Sequence, residues 1–277
     1  MAYPPERHML RDLAISVFRR EDGSYTALAP IHARVCNELG FLRSGVIASV
    51  IDVAGAALAL TELHPDRTAT IELSYQSTRP GRIGPLLANA RILRSGSVQV
   101  VIGVEVFDGR GGEDTAQAEA MGTGLIVFRR LPQREDHARI APPSERAARG
   151  ALGLPSCHLD EPFLQRARLR VLDAAAGIVE IENHDYVRNS FGTLNGGMVA
   201  VLVEVAAEHA ARARCGADLV SADLSVHYVG QAGPGPLRTR TRVVRAGRDH
   251  AVCRVELVDA GDAERLLSIG TVTAARL

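Results

Sequence analysis

The sequence predicts an α+β protein made of two similar domains, each with one long helix held against an antiparallel sheet. Two observations predict this fold class. The chain matches itself at a shift of about 150 residues. Each copy also has the same succession of short strand-like segments, an apolar helix and longer alternating strands. The repeat is too long for a solenoid unit, so it indicates a pseudo-dimer fused into one chain.

The self-match rests on residues that recur at matched spacing. At a shift of 152 residues, the pairs are Asn37 and Asn189, Gly40 and Gly192, Gly45 and Gly197, and Asp52 and Glu204. At a shift of 151 residues, LSYQSTRPGRIGPL at 73–86 lies over LSVHYVGQAGPGPL at 224–237. We therefore predict domains at 13–130 and 163–277, joined by a polar, proline-containing linker at 131–162.

Each domain is predicted to begin with two short strands. These are AISVFRRE and SYTALAPI in the first copy, and RARLRVLD and GIVEIEN in the second. A loop with Asn and Gly then leads into an apolar helix of about 16–20 residues. Alternating strands follow, such as SVQVVIGVEVFD and HAVCRVELVD. The helix from Gly196 is apolar nearly all round until Glu208, so a sheet must wrap it on most sides.

Composition narrows the possible functions. The 32 basic and 32 acidic residues cancel and no basic run occurs, so we expect no nucleic-acid partner. The four cysteines are isolated in the sequence, so we expect neither a metal site nor a disulfide framework. The N-terminus MAYPPERHMLRD lacks the apolar core of a signal peptide, so we expect a cytoplasmic protein. The apolar run 44–60 contains Asp52, which favours a buried helix over a membrane span.

Each long helix carries an acid within its apolar run, Asp52 in the first copy and Glu204 in the second. Burying an unpaired carboxylate costs several kcal/mol, so these acids need an explanation. Gly196 and Gly197 stand where the second helix begins, and free N–H groups there could polarise a carbonyl. Glu204 lies eight residues further on, about 12 Å along the axis. One helix therefore cannot direct both its amides and its acid at one carbonyl.

Two helices packed antiparallel would solve this problem, because the acid of each copy would face the N-terminus of the other. The repeat thus predicts two composite sites. One uses Asn189, Asn195, Gly196 and Gly197 with Asp52, and the other uses Asn37, Arg43, Ser44 and Gly45 with Glu204.

These residues form the pattern N-x5-H-G-G-x6-[D/E], which resembles the hotdog-fold acyl-CoA thioesterases of the phenylacetate-degradation type. In the second copy Asn189, the Gly196–Gly197 pair and Glu204 match the motif, and in the first copy Asn37, Gly45 and Asp52 match it. The resemblance covers both halves of the chain. It implies a tandem hotdog protein that hydrolyses an acyl-CoA and needs no cofactor besides the CoA of its substrate. The fused chain would either be self-sufficient or assemble further into a homo-oligomer, a homodimer or a trimer.

The sequence departs from the motif in both copies. The motif histidine is Asn195 in one copy and Arg43 in the other, and Ser44 replaces the first glycine of the first copy. The site made by the NGG loop and Asp52 is less altered, so we expect it to be the active one. The site with Arg43 and Glu204 is expected to be degenerate or retuned.

The resemblance implies that the Gly196 N–H polarises the thioester carbonyl. Asp52 would act either as a general base on water or as a nucleophile, and Asn189 would orient the water or the carboxylate. Two other functions stay open at this point. One is a non-catalytic acyl-CoA binder or sensor, and the other is a hotdog hydratase or dehydratase.

Arginines are the expected ligands for the phosphates of CoA. The candidates lie at two predicted turns and are Arg94, Arg245, Gly247 and Arg248, with Arg79 and Arg82 as further choices. His32 and His184 recur five residues before the motif Asn, and we interpret them as loop hydrogen-bonders rather than catalysts.

Overall fold

The computed structural model of the protein describes residues 3–114, 116–132, 150–151, 159–216 and 218–276. Its α-helices are α1 (Met9–Asp12), α2 (Ser44–Leu63), α3 (Phe163–Arg166) and α4 (Gly196–Cys215), and a 3-10 helix spans Ala33–Val35. Strands of the first half are β1 (Ser16–Arg19), β2 (Tyr25–Ala29), β3 (Arg67–Ser77), β4 (Leu86–Ser95), β5 (Gln99–Asp108), β6 (Glu119–Leu131) and β7 (Gly150–Ala151). Strands of the second half are β8 (Arg170–Asp173), β9 (Ile178–Ile181), β10 (Val220–Tyr228), β11 (Leu237–Ala246), β12 (His250–Asp259) and β13 (Arg265–Ala275).

The two halves have the same order of elements, which confirms the predicted pair of hotdog domains. In each half a short helix and two short strands precede a helix of 20 residues, and four long strands follow it. One predicted strand, RARLRVLD, is wrong over its first half. Phe163 and Ala167 are both buried at helical spacing, so the chain turns through α3 and the strand starts only at Arg170.

All described strands form one sheet that wraps both long helices, in the order β7-β1-β2-β4-β5-β6-β3-β10-β13-β12-β11-β9-β8. The halves join where β3 and β10 pair antiparallel, with 72–76 opposite 223–227. Beyond this short ladder the two strands separate at both ends. The gaps at the two ends, related by the pseudo-two-fold of the repeat, are where the two candidate sites lie.

The two long helices contact each other in an antiparallel arrangement through small residues. A Cβ on Gly45 would lie 2.5 Å from the Cα of Val201, and a Cβ on Gly197 would lie 2.2 Å from Ser49 Oγ. The start of each helix therefore rests on the second turn of the other. Glycine at these two positions allows the close approach that brings each helix N-terminus to the other helix's acid.

Replacing Gly45 with alanine should destabilise the protein by about 2–3 kcal/mol or more, because the added methyl would meet the Val201 backbone, which cannot rotate away. Chemical denaturation monitored by circular dichroism measures this loss. Gly40→Ala is an unsuitable control because Gly40 has a positive φ of 77°. Gly96→Ala is better matched, since its nearest contact is 3.4 Å away, and it should cost far less than Gly45→Ala. Equal losses for both variants would contradict the close helix contact.

The apolar helix α2 is long and apolar enough to cross a membrane by length and composition. However, 61% of this span is buried inside the protein, against the sheet and α4. The core position accounts for its composition, in line with the buried helix predicted from the run around Asp52.

A repeated aspartate fixes the loop before β4 and its counterpart before β11. Asp108 accepts hydrogen bonds from the N–H groups of Arg82, Ile83 and Gly84. Asp259 accepts them from Gly233 and Gly235 in the second half. Burial opposes ionisation of Asp108, but these N–H groups and that of Arg110 hold its pKa below the ordinary value.

The predicted linker at 131–162 lies mostly outside the described residues, so the domain boundaries stay a prediction. Cys157 lies outside them as well. The three described cysteines, Cys36, Cys215 and Cys253, are free thiols.

Candidate functional site

The first candidate site lies at the N-terminus of α4. Asn195 is the N-cap residue, and its Oδ1 accepts a hydrogen bond from the Gly197 N–H at 2.9 Å. Its Nδ2 donates to the Tyr3 hydroxyl at 3.3 Å. The Tyr228 hydroxyl donates to the Gly196 carbonyl at 2.9 Å. Within the described part of the chain, the Gly196 N–H has no acceptor, so it is available to a ligand.

Asp52 of α2 faces this helix start. A Cβ on Gly196 would lie 3.2 Å from Asp52 Oδ2, so only glycine leaves room between the carboxylate and the backbone. The Thr70 hydroxyl donates to Asp52 Oδ1 at 2.9 Å and fixes the orientation of the carboxylate. Its other oxygen, Oδ2, points towards Gly196. Burial raises the pKa of Asp52 to about 6, although the Thr70 hydrogen bond lowers it.

A cavity of about 930 Å³ opens on this pair. Asp52, Asn195, Gly196 and Tyr228 all line it. Beyond Asp52, one face of α2 supplies an apolar wall, and the first domain's edge strands complete it. These apolar lining residues include Val53, Ala56, Ala57, Leu60, Val17 and Tyr25. The site therefore combines a basic carboxylate, a free helix-start amide and an apolar chamber of ligand size.

If Asp52 must be ionised to act, activity should rise with pH through about 6 and then level off. The protonated carboxyl cannot accept a proton, so below the pKa the rate should fall about tenfold per pH unit. Thr70→Val removes the hydrogen bond that lowers the pKa, and the inflection should therefore move to higher pH. A pH profile of kcat/KM for both proteins measures this. An unchanged inflection in Thr70→Val would contradict the assignment.

The second candidate site is closed by its own acid. Glu204 Oε1 accepts a hydrogen bond from the Ser44 N–H at 2.7 Å, and Oε2 accepts one from the Gly45 N–H at 3.0 Å. Glu204 is only 1% exposed. Its side chain is one methylene longer than that of Asp52, so it reaches the helix start directly. The amides that could polarise a carbonyl at this site are already bound.

Charged residues fill the space that is apolar in the first site. The Arg43 side chain is buried, with Nη2 3.1 Å from Glu38 Oε1 and Nη1 3.9 Å from Glu208 Oε2. Glu208 also accepts a hydrogen bond from Arg212 at 3.2 Å. At the repeat shift of 152 residues, Glu208 and Arg212 correspond to the cavity-lining Ala56 and Leu60. The cavity lined by Ser44, Glu204 and Glu208 measures about 190 Å³, so an ionic cluster replaces the apolar chamber at the start of α2. Arg212 also lines a more open cleft of about 900 Å³ on the outer side of this cluster.

The asparagine of the motif in each half accepts hydrogen bonds from backbone N–H groups of its own loop. Asn189 Oδ1 accepts hydrogen bonds from the N–H groups of Phe191 and Thr193 at 2.9 and 3.3 Å. Asn37 Oδ1 accepts two equivalent bonds, both at 3.1 Å, from the residues two and four further on. Asn189 also lines the cavity. Its predicted part in orienting water or the carboxylate stays a prediction.

The predicted CoA ligands Arg94, Arg245, Gly247 and Arg248 lie at the ends of the β4–β5 and β11–β12 hairpins. The arginines are exposed there, and none of the four residues is among the described residues that line the cavity. They could contact only a part of a ligand that extends over the surface, and this role stays a prediction. His184 bonds to the Ala167 carbonyl at 3.2 Å, as a loop residue would.

Sequence reasoning missed three hydroxyl residues of the first site, Thr70, Tyr228 and Tyr3. Thr70 and Tyr228 lie on β3 and β10, so they come from different halves of the chain. At a shift of 151 residues they correspond to Ser221 and Ser77, which are also hydroxyl residues. That recurrence was a usable signal for two of them. Tyr3 has no such signal, because its segment reaches the second half through α1, whose Met9 N–H bonds to the Tyr186 carbonyl at 3.0 Å.

Known proteins agree with this arrangement. The profile of the thioesterase superfamily matches residues 39–115 and 191–265, one segment in each half. A protein of Saccharolobus solfataricus that is named as an esterase is 30% identical over 115 residues, which are 42% of this chain and 80% of that protein.

Solved structures show the same fold over nearly the whole chain. One is a hot dog fold protein of unknown function from Alicyclobacillus acidocaldarius, with a TM-score of 0.59, 13% identity and 97% of each chain covered. Another is a 12:0-ACP thioesterase from Umbellularia californica, with a TM-score of 0.58, 10% identity and 91% and 96% of the two chains covered. With the superfamily profile found twice and an acid facing a free helix-start amide, this chain belongs to the thioesterase superfamily and is a thioester hydrolase of two fused hotdog domains.

Proposed function

We propose that the protein is an acyl-CoA thioesterase with one working site per chain, made by Asp52 and the N-terminus of α4. The observation that supports it best is the Asp52 carboxylate directed at the free Gly196 amide on the wall of a largely apolar cavity. The second acid, Glu204, is bound to both helix-start amides of its own site. The chemistry is therefore assigned to one end of the β3–β10 ladder.

The geometry suits addition of water to a thioester carbonyl. The carbonyl oxygen accepts a hydrogen bond from the Gly196 N–H, where the helix dipole stabilises the negative charge that develops. Asp52 Oδ2 takes a proton from the attacking water, while Thr70 holds Oδ1. Collapse of the tetrahedral intermediate expels the thiolate, which takes the proton from Asp52 and leaves as the thiol. The acyl chain lies along the apolar face of α2.

In the nucleophilic alternative, Asp52 forms a covalent intermediate with the acyl group. Here Oδ2 attacks the carbonyl carbon to form a mixed anhydride, which water then hydrolyses. We favour the general-base route because the raised pKa of about 6 makes the carboxylate a stronger base near neutral pH. Turnover in ¹⁸O-water followed by mass spectrometry of the Asp52 peptide tests for the anhydride route. Label in Asp52 would establish an anhydride that water opens at the Asp52 carboxyl carbon, whereas an anhydride opened at the acyl carbon places the label in the product acid, as the general-base route does.

The proposed activity is tested by mixing the purified protein with acyl-CoAs and a thiol reagent. We expect thiol release from at least one acyl-CoA among short, medium, long-chain and aryl thioesters. The same acyl groups on N-acetylcysteamine and on acyl carrier protein test the thiol carrier. Activity confined to acyl carrier protein would contradict CoA as the carrier, and no release from any substrate would contradict the proposal altogether.

The hydratase alternative has less support from the site. That chemistry generally pairs a histidine with an acid, and no histidine is among the described residues that line the cavity. Incubation with an enoyl-CoA, followed by loss of the conjugated absorbance, provides the comparison. We expect no hydration.

A further inference from the structure

The cavity is lined by an arginine that has no acidic partner within the described part of the chain. Arg67, the first residue of β3, lines the cavity and is half-buried. Its Nε is buried and has no hydrogen-bond partner among the described residues. No ion pair joins Arg67 to a carboxylate of the described chain, whereas Arg43 pairs with Glu38 and Arg238 with Glu180. A buried cationic donor left without a partner calls for a ligand.

An aromatic ring holds the Arg67 guanidinium in place. Its Cζ lies 4.2 Å from the centroid of the Phe191 ring, in the loop that leads to α4. Phe191 is 38% exposed and also lines the cavity. Stacking on the ring face leaves the edge N–H groups of a guanidinium free to bind a planar anion. The pair is therefore arranged as an anion-binding element.

The strand β3 carries both Arg67 and the residue that holds Asp52. Thr70 lies three positions after Arg67, so the Cα atoms of the two residues are about 10 Å apart along the strand. The turn between α2 and β3 also places Arg67 at the Leu60 end of the apolar wall. A chain that starts at Asp52 and follows this wall ends beside Arg67.

The repeat places no arginine at the matching position of the second site. At the shift of 151 residues that relates β3 to β10, Arg67 corresponds to Asp218, which has the opposite charge. A stacked arginine does occur at that end, where Arg82 Cζ lies 4.0 Å from the centroid of the Phe41 ring, but Arg82 is exposed and is not among the described residues that line the Asp52 cavity.

We propose that Arg67 binds an anionic group of the substrate. Its place beyond the acyl wall favours a carboxylate at the far end of the acyl group, so the preferred substrates are thioesters of dicarboxylic acids. A phosphate of the thiol carrier is the other source of the same chemistry. The inference rests on the proposed thioesterase activity of the Asp52 site.

Four substrates distinguish the two sources: octanoyl and octanedioyl groups, each on CoA and on N-acetylcysteamine. Arg67→Met should lower kcat/KM for the octanedioyl thioesters about 10- to 100-fold on both carriers and leave the octanoyl thioesters near wild type. A loss for both acyl groups on CoA, but not on N-acetylcysteamine, would assign Arg67 to the carrier phosphate instead. Equal kcat/KM in Arg67→Met and wild type for all four substrates would overturn the proposal.

Three further variants serve as controls for this test. Arg129→Met removes an exposed arginine from the neighbouring strand β6, and it should not change the preference among the four substrates. Arg67→Lys keeps the charge without the planar fork and should retain part of the preference. Phe191→Leu removes the ring under Arg67 and should lower the octanedioyl preference less than Arg67→Met, which matters if Arg67→Met folds poorly.

A binding measurement separates failure of this inference from failure of the proposed function. Octanedioate and CoA are titrated calorimetrically into wild-type protein and Arg67→Met. Binding of either ligand that weakens in the variant supports the anion site even if no thioester is hydrolysed. Hydrolysis with no Arg67-dependent binding or preference would overturn the inference and leave the thioesterase activity standing.

Discussion

Asp52→Asn should reduce thioester hydrolysis by about 10²–10⁴-fold, because the amide cannot accept a proton from water or attack the carbonyl. The substitution is nearly isosteric, and Asn can still accept the Thr70 hydrogen bond at Oδ1. The fold should therefore survive, with the melting temperature close to that of the wild type. Steady-state kinetics with the best acyl-CoA, together with a thermal melt, measures both quantities.

The variant also tests the binder hypothesis directly. A protein that only binds acyl-CoA has no turnover for Asp52→Asn to remove, and its ligand affinity should be unchanged. A variant with full hydrolytic activity would show that Asp52 is neither the catalytic base nor the nucleophile. Gly196→Ala is a companion variant, since its Cβ would lie 3.2 Å from Asp52 Oδ2 and narrow the gap in which the carbonyl binds. It should lower activity while Asp52 itself remains.

Glu204→Ala should act on stability rather than on chemistry, with a loss of about 3–5 kcal/mol. The substitution leaves the N–H groups of Ser44 and Gly45 buried without an acceptor at the start of α2. It also removes the carboxylate beside Arg43. Burial raises the pKa of Glu204, and the Arg43 charge opposes this rise. Urea denaturation of the wild type and the variant measures the loss.

The specific activity of folded Glu204→Ala gives the matched contrast with Asp52→Asn. Below its unfolding transition, Glu204→Ala should hydrolyse thioesters at a rate within a fewfold of the wild type. Glu204→Gln keeps one acceptor for the two amides, so its stability should lie between those of the wild type and the alanine variant. A loss of activity in Glu204→Ala as large as in Asp52→Asn would show that both ends of the β3–β10 ladder are catalytic.

Much of the architecture could be predicted from the repeat in the sequence. Matched Asn, Gly and acid positions predicted two like domains, and the 12 Å between a helix start and its own acid required an antiparallel pair of helices. The structure has this pair, with Gly45 on Val201 and Gly197 on Ser49. Periodicity and helix geometry act over a few turns, and for that reason they can be read from residue order alone.

The difference between the two sites was only partly visible in the sequence. Arg43 and Ser44 marked the second site as altered, but its closure depends on Glu204 reaching two amides and on Glu208 and Arg212 filling the chamber. The extra methylene of Glu relative to Asp can be interpreted only when the distance from the acid to the start of the other helix is known. The sequence also could not show which arginines reach the cavity. The arginines predicted to bind CoA lie exposed on two hairpins and are not among the described residues that line the cavity, whereas Arg67 is.

The sequence by itself determined the fold class, the duplication, and which two acids face which two helix starts. Only the tertiary structure decided that Thr70 and Tyr228 complete the Asp52 site, that Tyr3 meets Asn195, and that Arg67 lines its wall with no acidic partner among the described residues. The physical reason is that the first group of features depends on local spacing and the second on contacts between distant segments. Local spacing places residues along one helix or strand, whereas these contacts join segments that meet only when the two halves pack around a shared sheet.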